Sequence, residues 1–217
     1  MFVPAMYRET DPDRLLAVIK QYPLACLITA GQPLPNATHL PIIIPREAAA
    51  DGTDLIGRTL LGHMNRANPH WANLRNGIQG KLIFSGPHSY VTPTLYEPGP
   101  AAPTWDFIAV HLEGTIELID DFSKTLDVTR ETVAVLEGHF GNGWQDDASL
   151  EYFRKIGSAV GAFRFTVETA DGMFKLSQEK TPSVKQSICR HLLAQERGHA
   201  YDLGLMLRDG TIRGASE

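Results

Sequence analysis

Residues 107–119 read FIAVHLEGTIELI. Phe107, Ala109, His111 and Glu113 alternate with Ile108, Val110 and Leu112. A period of two puts the sets on opposite faces of an extended chain, so the segment reads as a long strand of a barrel or sandwich. Residues 160–167 alternate in the same way and form the last long strand. Residues 24–30, 36–44, 55–64, 81–85 and 89–92 read as further strands, with Met173 to Leu176 extended again. Gly31-Gln32-Pro33 and Asp171-Gly172 mark turns, and Gly86-Pro87 a turn or bulge. Residues 46–54 form a polar loop. Residues 93–103 form a Pro/Gly/Ala-rich loop, and a loop that long in a compact domain is more often functional than idle.

Helices flank these strands. Asp11-Pro12 and Asn68-Pro69 both place a capping side chain before a proline, the arrangement that opens a helix. The first helix runs to Tyr22; the second ends near Gly77, with Trp71 and Leu74 inward. Further helices are expected over 122–137, 148–156, 182–196 and 201–207, and the last ten residues form a loose tail. There is no βαβ rhythm, so the class is α+β, mainly β, with an antiparallel barrel carrying peripheral helices.

Composition narrows the function. The chain has 217 residues, 43% of them hydrophobic and 21% charged, an ordinary globular balance. A chain of this size buries roughly 70% of its unfolded surface and needs no disulfide or metal to hold a core. The formal net charge is −5, which speaks against a non-specific nucleic-acid binder. Cys26 and Cys189 belong to no CxxC pair. No secretory leader or membrane-length apolar run is visible, so a cytoplasmic location is the default expectation.

No phosphate-loop, GxGxxG, GxSxG or HExxH pattern is present. Instead, polar and aromatic residues gather in five clusters at strand ends: residues 38–41, 62–71, 85–93, 103–111 and 175–178. His39, His63, His70, His88 and His111, five of the eight histidines, fall within them. A zinc or iron site is one reading. Against it, no carboxylate recurs at ligand spacing and no histidine pair sits four apart on a helix. A flat anionic cofactor accounts for the mixture better. Asn65, Arg66, Lys175 and Ser177 offer phosphate-binding chemistry, with the amides of the helix at Pro69 nearby. Trp71, Tyr90, Trp105, His63 and Gln178 offer walls and hydrogen bonds for a ring. Trp71 and Trp105 read equally well as core aromatics.

The five clusters, in this order and spacing, resemble the PaiB-type FMN-binding negative transcriptional regulators. The carriers are ATHLP at 37–41, GHMNRANPHW at 62–71, GPHSY at 86–90, PTWDFIAVH at 103–111, KLSQ at 175–178 and the opening MFVP. Asn65-Arg66 and the length of the loop before Pro103 depart from the pattern. The resemblance implies a split β-barrel, residues 1–180, with the C-terminal helices and tail, 181–217, packed on it. It implies a homodimer with FMN between subunits. The phosphate would lie on residues 62–68, including His63, Asn65, Arg66 and Asn68, and on Lys175, Ser177 and Gln178. The ring would lie near Thr38, Tyr90, Trp105 and His111, with His39, Trp71 and His88 in the same clusters. A regulatory role follows from the family, although Lys185, Arg190, Arg197 and Arg208 do not make a convincing helix-turn-helix. The alternatives are a flavin-dependent oxidoreductase of the pyridoxamine-phosphate-oxidase or flavin-reductase type, and a haem- or metal-binding split barrel.

Overall fold

A computed structural model describes residues 1–47, 54–210 and 212. Residues 48–53, within the expected polar loop, and 211 and 213–217, within the expected tail, lie outside the described residues. The strands are β1 (Arg8–Glu9), β2 (Leu24–Thr29), β3 (Asn36–Ile43), β4 (Thr59–Asn65), β5 (Ile78–Val91), β6 (Thr104–Ile119) and β7 (Val160–Lys175). The helices are α1 (Pro12–Gln21), α2 (Pro69–Asn73), α3 (Phe122–Phe140), α4 (Leu150–Gly157), α5 (Pro182–Leu193) and α6 (Gly198–Asp209). The strands hydrogen-bond in the order β1-β7-β4-β3-β2-β5-β6, and a further β7–β6 pairing closes the sheet on itself. The β1–β7, β2–β3, β2–β5, β3–β4 and β4–β7 pairings are antiparallel. This is the split β-barrel expected.

The chain divides into two compact units. One comprises Met1–Tyr22, Phe84–His111 and the described part of Asp171–Glu217. In it, the Asp11 carboxylate accepts from the Asp13 N–H at 3.0 Å and Pro12 opens α1, whose Leu15, Leu16, Val18 and Ile19 are buried. Thr181 caps α5 in the same way, with Pro182 following, and Gly210 ends α6 in a left-handed conformation (φ 77°). β1 pairs through Arg8 with Met173 and through Glu9 with Gly172.

The other unit comprises Pro23–Ile83 and Leu112–Ala170. Its core includes Leu27, Ile42, Leu60, Leu82, Phe163 and Phe165, all fully buried. Each such side chain contributes about 1.5–3 kcal/mol relative to exposure. β4 and β7 pair over seven consecutive positions, from Thr59 with Thr166 to Asn65 with Val160. Asp121 caps α3 by accepting from the Lys124 N–H at 2.8 Å. Ile43, Leu61, Ile119, Val128 and Ala162 then form a small apolar cluster.

Several boundaries differ from the sequence reading. Leu55 and Ile56 belong to a turn, not to β4: Gly57 has φ 82° and its N–H bonds to Val167 O at 2.8 Å. Leu55 is buried all the same, which is why it looked like a strand residue. Gly86-Pro87 makes no turn; β5 runs straight through it. The β2 pairing of that strand ends at Ile83, so Pro87 withholds no N–H from that ladder. Asp171-Gly172 likewise lies within β7, where Gly172 serves the β1 pairing. The helix expected to reach Gly77 is a five-residue turn ending at Asn73, and its buried polar residue is His70.

Gly62 shows the packing constraint most directly. A β-carbon there would lie 2.5 Å from Phe163 Cζ and 2.6 Å from Ile42 Cδ1, two fully buried side chains. Gly62→Ala should therefore destabilise the protein by about 1–3 kcal/mol, measured as a lowered urea midpoint at unchanged m-value.

Candidate functional site

The sequence-predicted residues fall into two groups, one in each unit. In the unit built on β2, β3 and β4, His70 is the organising side chain. It is 3% exposed, and its two ring nitrogens lie 2.9 Å from Thr29 Oγ1 and 2.9 Å from Thr38 Oγ1. Burial lowers its pKa, which favours the neutral ring. A neutral imidazole has one donor and one acceptor, so one threonine donates to it and the other accepts. Asn68 Nδ2 also donates to Thr38 Oγ1, at 3.3 Å. In the sequence His70 is one histidine among several; its placement between two hydroxyls is visible only once β2, β3 and α2 are folded.

The segment 65–71 is tied up internally. Ala67 N–H donates to Asn65 Oδ1, Asn68 N–H to Asn65 O, His70 N–H to Asn68 Oδ1 and Trp71 N–H to Asn68 O. Arg66 N–H donates to Ala159 O, and its Nε donates to Val160 O at 2.8 Å. The amides expected to cradle an anion at the start of α2 are thus already committed. An anion beside this segment meets side chains: the Arg66 guanidinium, 5.1 Å above the Trp71 ring, and the Asn amides. Trp71 itself is half-buried and lies flat against the β7 backbone, where a β-carbon on Gly161 would come within 2.4 Å of its ring.

Thr38, His39, His63, Asn65 and Asn68 line one cleft of about 450 Å³, together with Val160. Thr38 and His39 are successive strand residues whose side chains leave on opposite sides, and His39 is exposed. His63 Nδ1 is buried with no partner among the described residues, and burial lowers the His63 pKa. His63 thus brings an unpaired buried nitrogen to a residue of the cleft lining, the kind of exception that accompanies sites.

The second group belongs to the other unit and has two parts. The first is an aromatic platform. Trp105 Nε1 donates to His88 Nδ1 at 3.3 Å, and Tyr90 packs edge-on at 6.2 Å between centroids. His88 stacks on His199 of α6 at 4.6 Å. Burial and the neighbouring His199 lower the His88 pKa, which keeps Nδ1 able to accept. Trp105 and Tyr90 are each 50% exposed, so they are not core aromatics. His111, half-buried, lies six residues further along β6, about 20 Å at strand rise, so one ring system within a chain does not reach both it and Trp105.

The other part is the turn Lys175-Leu176-Ser177-Gln178. Lys175 Nζ donates to Thr104 Oγ1, and Ser177 Oγ donates to Asp106 Oδ2 at 2.5 Å. The Gln178 side chain accepts from Leu176 N–H at 2.7 Å and donates to Phe174 O. Ser177 is fully buried and left-handed, with φ 54°. Asp106, absent from the sequence-predicted set, is 0% exposed, and its Oδ1 has no partner among the described residues. Burial raises the Asp106 pKa, opposed by the Ser177 hydrogen bonds and by Lys175. Its position in an aromatic-rich motif hid it: an acidic residue in a strand ordinarily faces solvent.

Because the folded Asp106 pKa is raised, the folded chain holds a proton that the unfolded chain releases above the ordinary carboxylate pKa. Its contribution to stability is lost as pH rises through that window. Asp106→Asn should therefore melt at higher temperature than the parent at pH 7, with the gap closing towards about pH 4. A gap independent of pH, in thermal melts across that range, would clear Asp106 of this penalty.

Comparison with known proteins places these clusters in context. A family model described as "Putative FMN-binding domain" matches residues 1–169. The chain is 24% identical over 213 residues to the protease synthase and sporulation protein PAI 2 of Bacillus subtilis, covering 96% of this chain and 97% of that one. In fold it is similar to a FAD and heme binding protein from Mycobacterium smegmatis, with TM-score 0.52, 16% identity and coverage of 78% and 73%. It is also similar to the flavocytochrome Anf3 from Azotobacter vinelandii, with TM-score 0.53, 18% identity and coverage of 77% and 69%. The family model spans most of the chain, so the protein belongs to this FMN-binding-domain family, with FMN as its cofactor.

Proposed function

We propose that this protein is an FMN-binding regulator of the PaiB type, with the flavin held where two copies of the chain meet. The observation that carries the flavin site is the pinned Lys175–Gln178 turn. Its ammonium is anchored on Thr104 beside a buried serine, next to a strand that bears exposed Trp105. Each unit offers donors of the kind a phosphorylated flat ligand takes. One has Lys175; the other has the Arg66 guanidinium and the Asn65 and Asn68 amides. Trp105, Tyr90 and His88 offer stacking surface.

The regulatory role draws on end-to-end similarity to a protein named for sporulation and protease synthesis. Dimerisation draws on the exposure of Trp105 and Tyr90, which a second subunit would cover with the ring between. A bound flavin supplies hydride and electron transfer, and this chain's residues would position it and exclude water. The buried Asp106 carboxyl favours the oxidoreductase as second reading, because burial raises its pKa and a carboxyl that keeps its proton to higher pH is suited to acid catalysis. Rapid bleaching of the purified yellow protein by NADH or NADPH would decide for the enzyme. Retention on promoter DNA that changes with flavin occupancy would decide for the regulator.

Lys175→Ala tests the phosphate assignment. Loss of a charged hydrogen-bond donor should weaken FMN about 10- to 100-fold in a flavin-fluorescence titration, with the melting temperature nearly unchanged. Unaltered affinity would remove Lys175 from the site.

A further inference from the structure

We propose that Asp106 is the positioning residue of the Lys175–Gln178 turn, holding Ser177 in its left-handed conformation so that the Lys175 ammonium is presented to the FMN phosphate; this rests on the phosphate reading above. Ser177 is not glycine, yet its φ is 54°. An L side chain visits that region only when its surroundings over-determine it. The restraint visible here is the fully buried Asp106 carboxyl, which accepts from Ser177 Oγ at 2.5 Å and from the Ser177 backbone N–H. The spacing reinforces it. Thr104 and Asp106 are two apart on β6 and so share a face; Lys175 is the last residue of β7, and Ser177 lies two residues beyond it in the turn. Thr104 takes Lys175 and Asp106 takes Ser177, which makes two matched rungs. The Gln178 side chain closes the turn on Phe174 O and Leu176 N, and Lys180 N–H bonds back to Ser177 O at 3.0 Å.

Asp106 is poorly suited to be a mere packing residue. Its Oδ1 is buried without a partner among the described residues, and a half-satisfied buried carboxyl costs stability. An apolar side chain would fill the space at lower cost, but it would release Ser177. Nor does its charge favour an anion nearby. What Asp106 contributes is an acceptor at a fixed point. Its effect on the phosphate should therefore run entirely through the turn, and a neutral side chain with the same acceptor should replace it.

The experiment compares FMN with riboflavin, which lacks the phosphate, by fluorescence titration of the full chain. Asp106→Ala should weaken FMN at least tenfold and leave riboflavin within about twofold. Asp106→Asn, which keeps an oxygen for the Ser177 hydroxyl, should bind FMN within about threefold of the parent. In a Lys175→Ala background, Asp106→Ala should add no further loss, because the group it positions is already gone. Ser177→Ala removes the hydroxyl bond and keeps the Ser177 backbone bond to Asp106; it should weaken FMN over riboflavin in the same direction, by less, and stands in if Asp106→Ala does not fold. Equal weakening of FMN and riboflavin, or full additivity with Lys175→Ala, would overturn the positioning role while leaving the phosphate site intact. A parent protein that binds the two flavins equally, or binds neither, would overturn the phosphate reading and this proposal with it.

Discussion

The register between β4 and β7 is the constraint on which the larger unit depends. Seven residue pairs are set by it, and Gly62 leaves room for Phe163 and Ile42 to meet where a methyl group would not fit. A slip of one residue would turn the buried face of each strand outward. The same register places Asn65 opposite Val160, so Arg66 finds Ala159 O and Val160 O within reach. The rigid, internally bonded segment that follows, with His70 locked between two threonines, is a consequence of where that ladder stops.

Both candidate clusters place polar side chains in buried positions and satisfy them selectively. His70 has a partner on each ring nitrogen, so its burial costs little and stiffens the corner of β2, β3 and α2. Asp106 and His63 each keep one buried atom without a partner among the described residues. Buried polar atoms are nearly always paired in folded proteins, and the exceptions concentrate where a ligand, a water or a proton completes the set. That contrast, more than the number of histidines, separates scaffold from site here.

Most of the fold could be read from the residues because strand alternation and cap-plus-proline signals are local. The long strands, α1, α5 and the start of α2 all carry such signals. The failures share a cause. Gly57, Gly86-Pro87 and Gly172 are conformationally ambiguous in one dimension, and only their neighbours across the sheet decide whether the chain turns or continues. At the site, the KLSQ turn and the Trp105 platform were legible as chemistry concentrated in short motifs. Asp106 and the bridging role of His70 were not, because each acts through a partner more than 30 positions away. The free amides expected at α2 were wrong for a related reason: capping side chains inside 65–71 reach them first.

The family match ends at residue 169, whereas β7 continues to Lys175. A fragment trimmed to the matched length would be cut in mid-strand. It would lack Gly172 and Met173, the partners of β1, and the backbone that lies against Leu15 of α1. The amino-terminal residues would lose their seat although every one of them was retained. In this molecule the first strand is built by the last, so a workable expression boundary has to be drawn from hydrogen-bond pairing and not from the reach of a sequence profile.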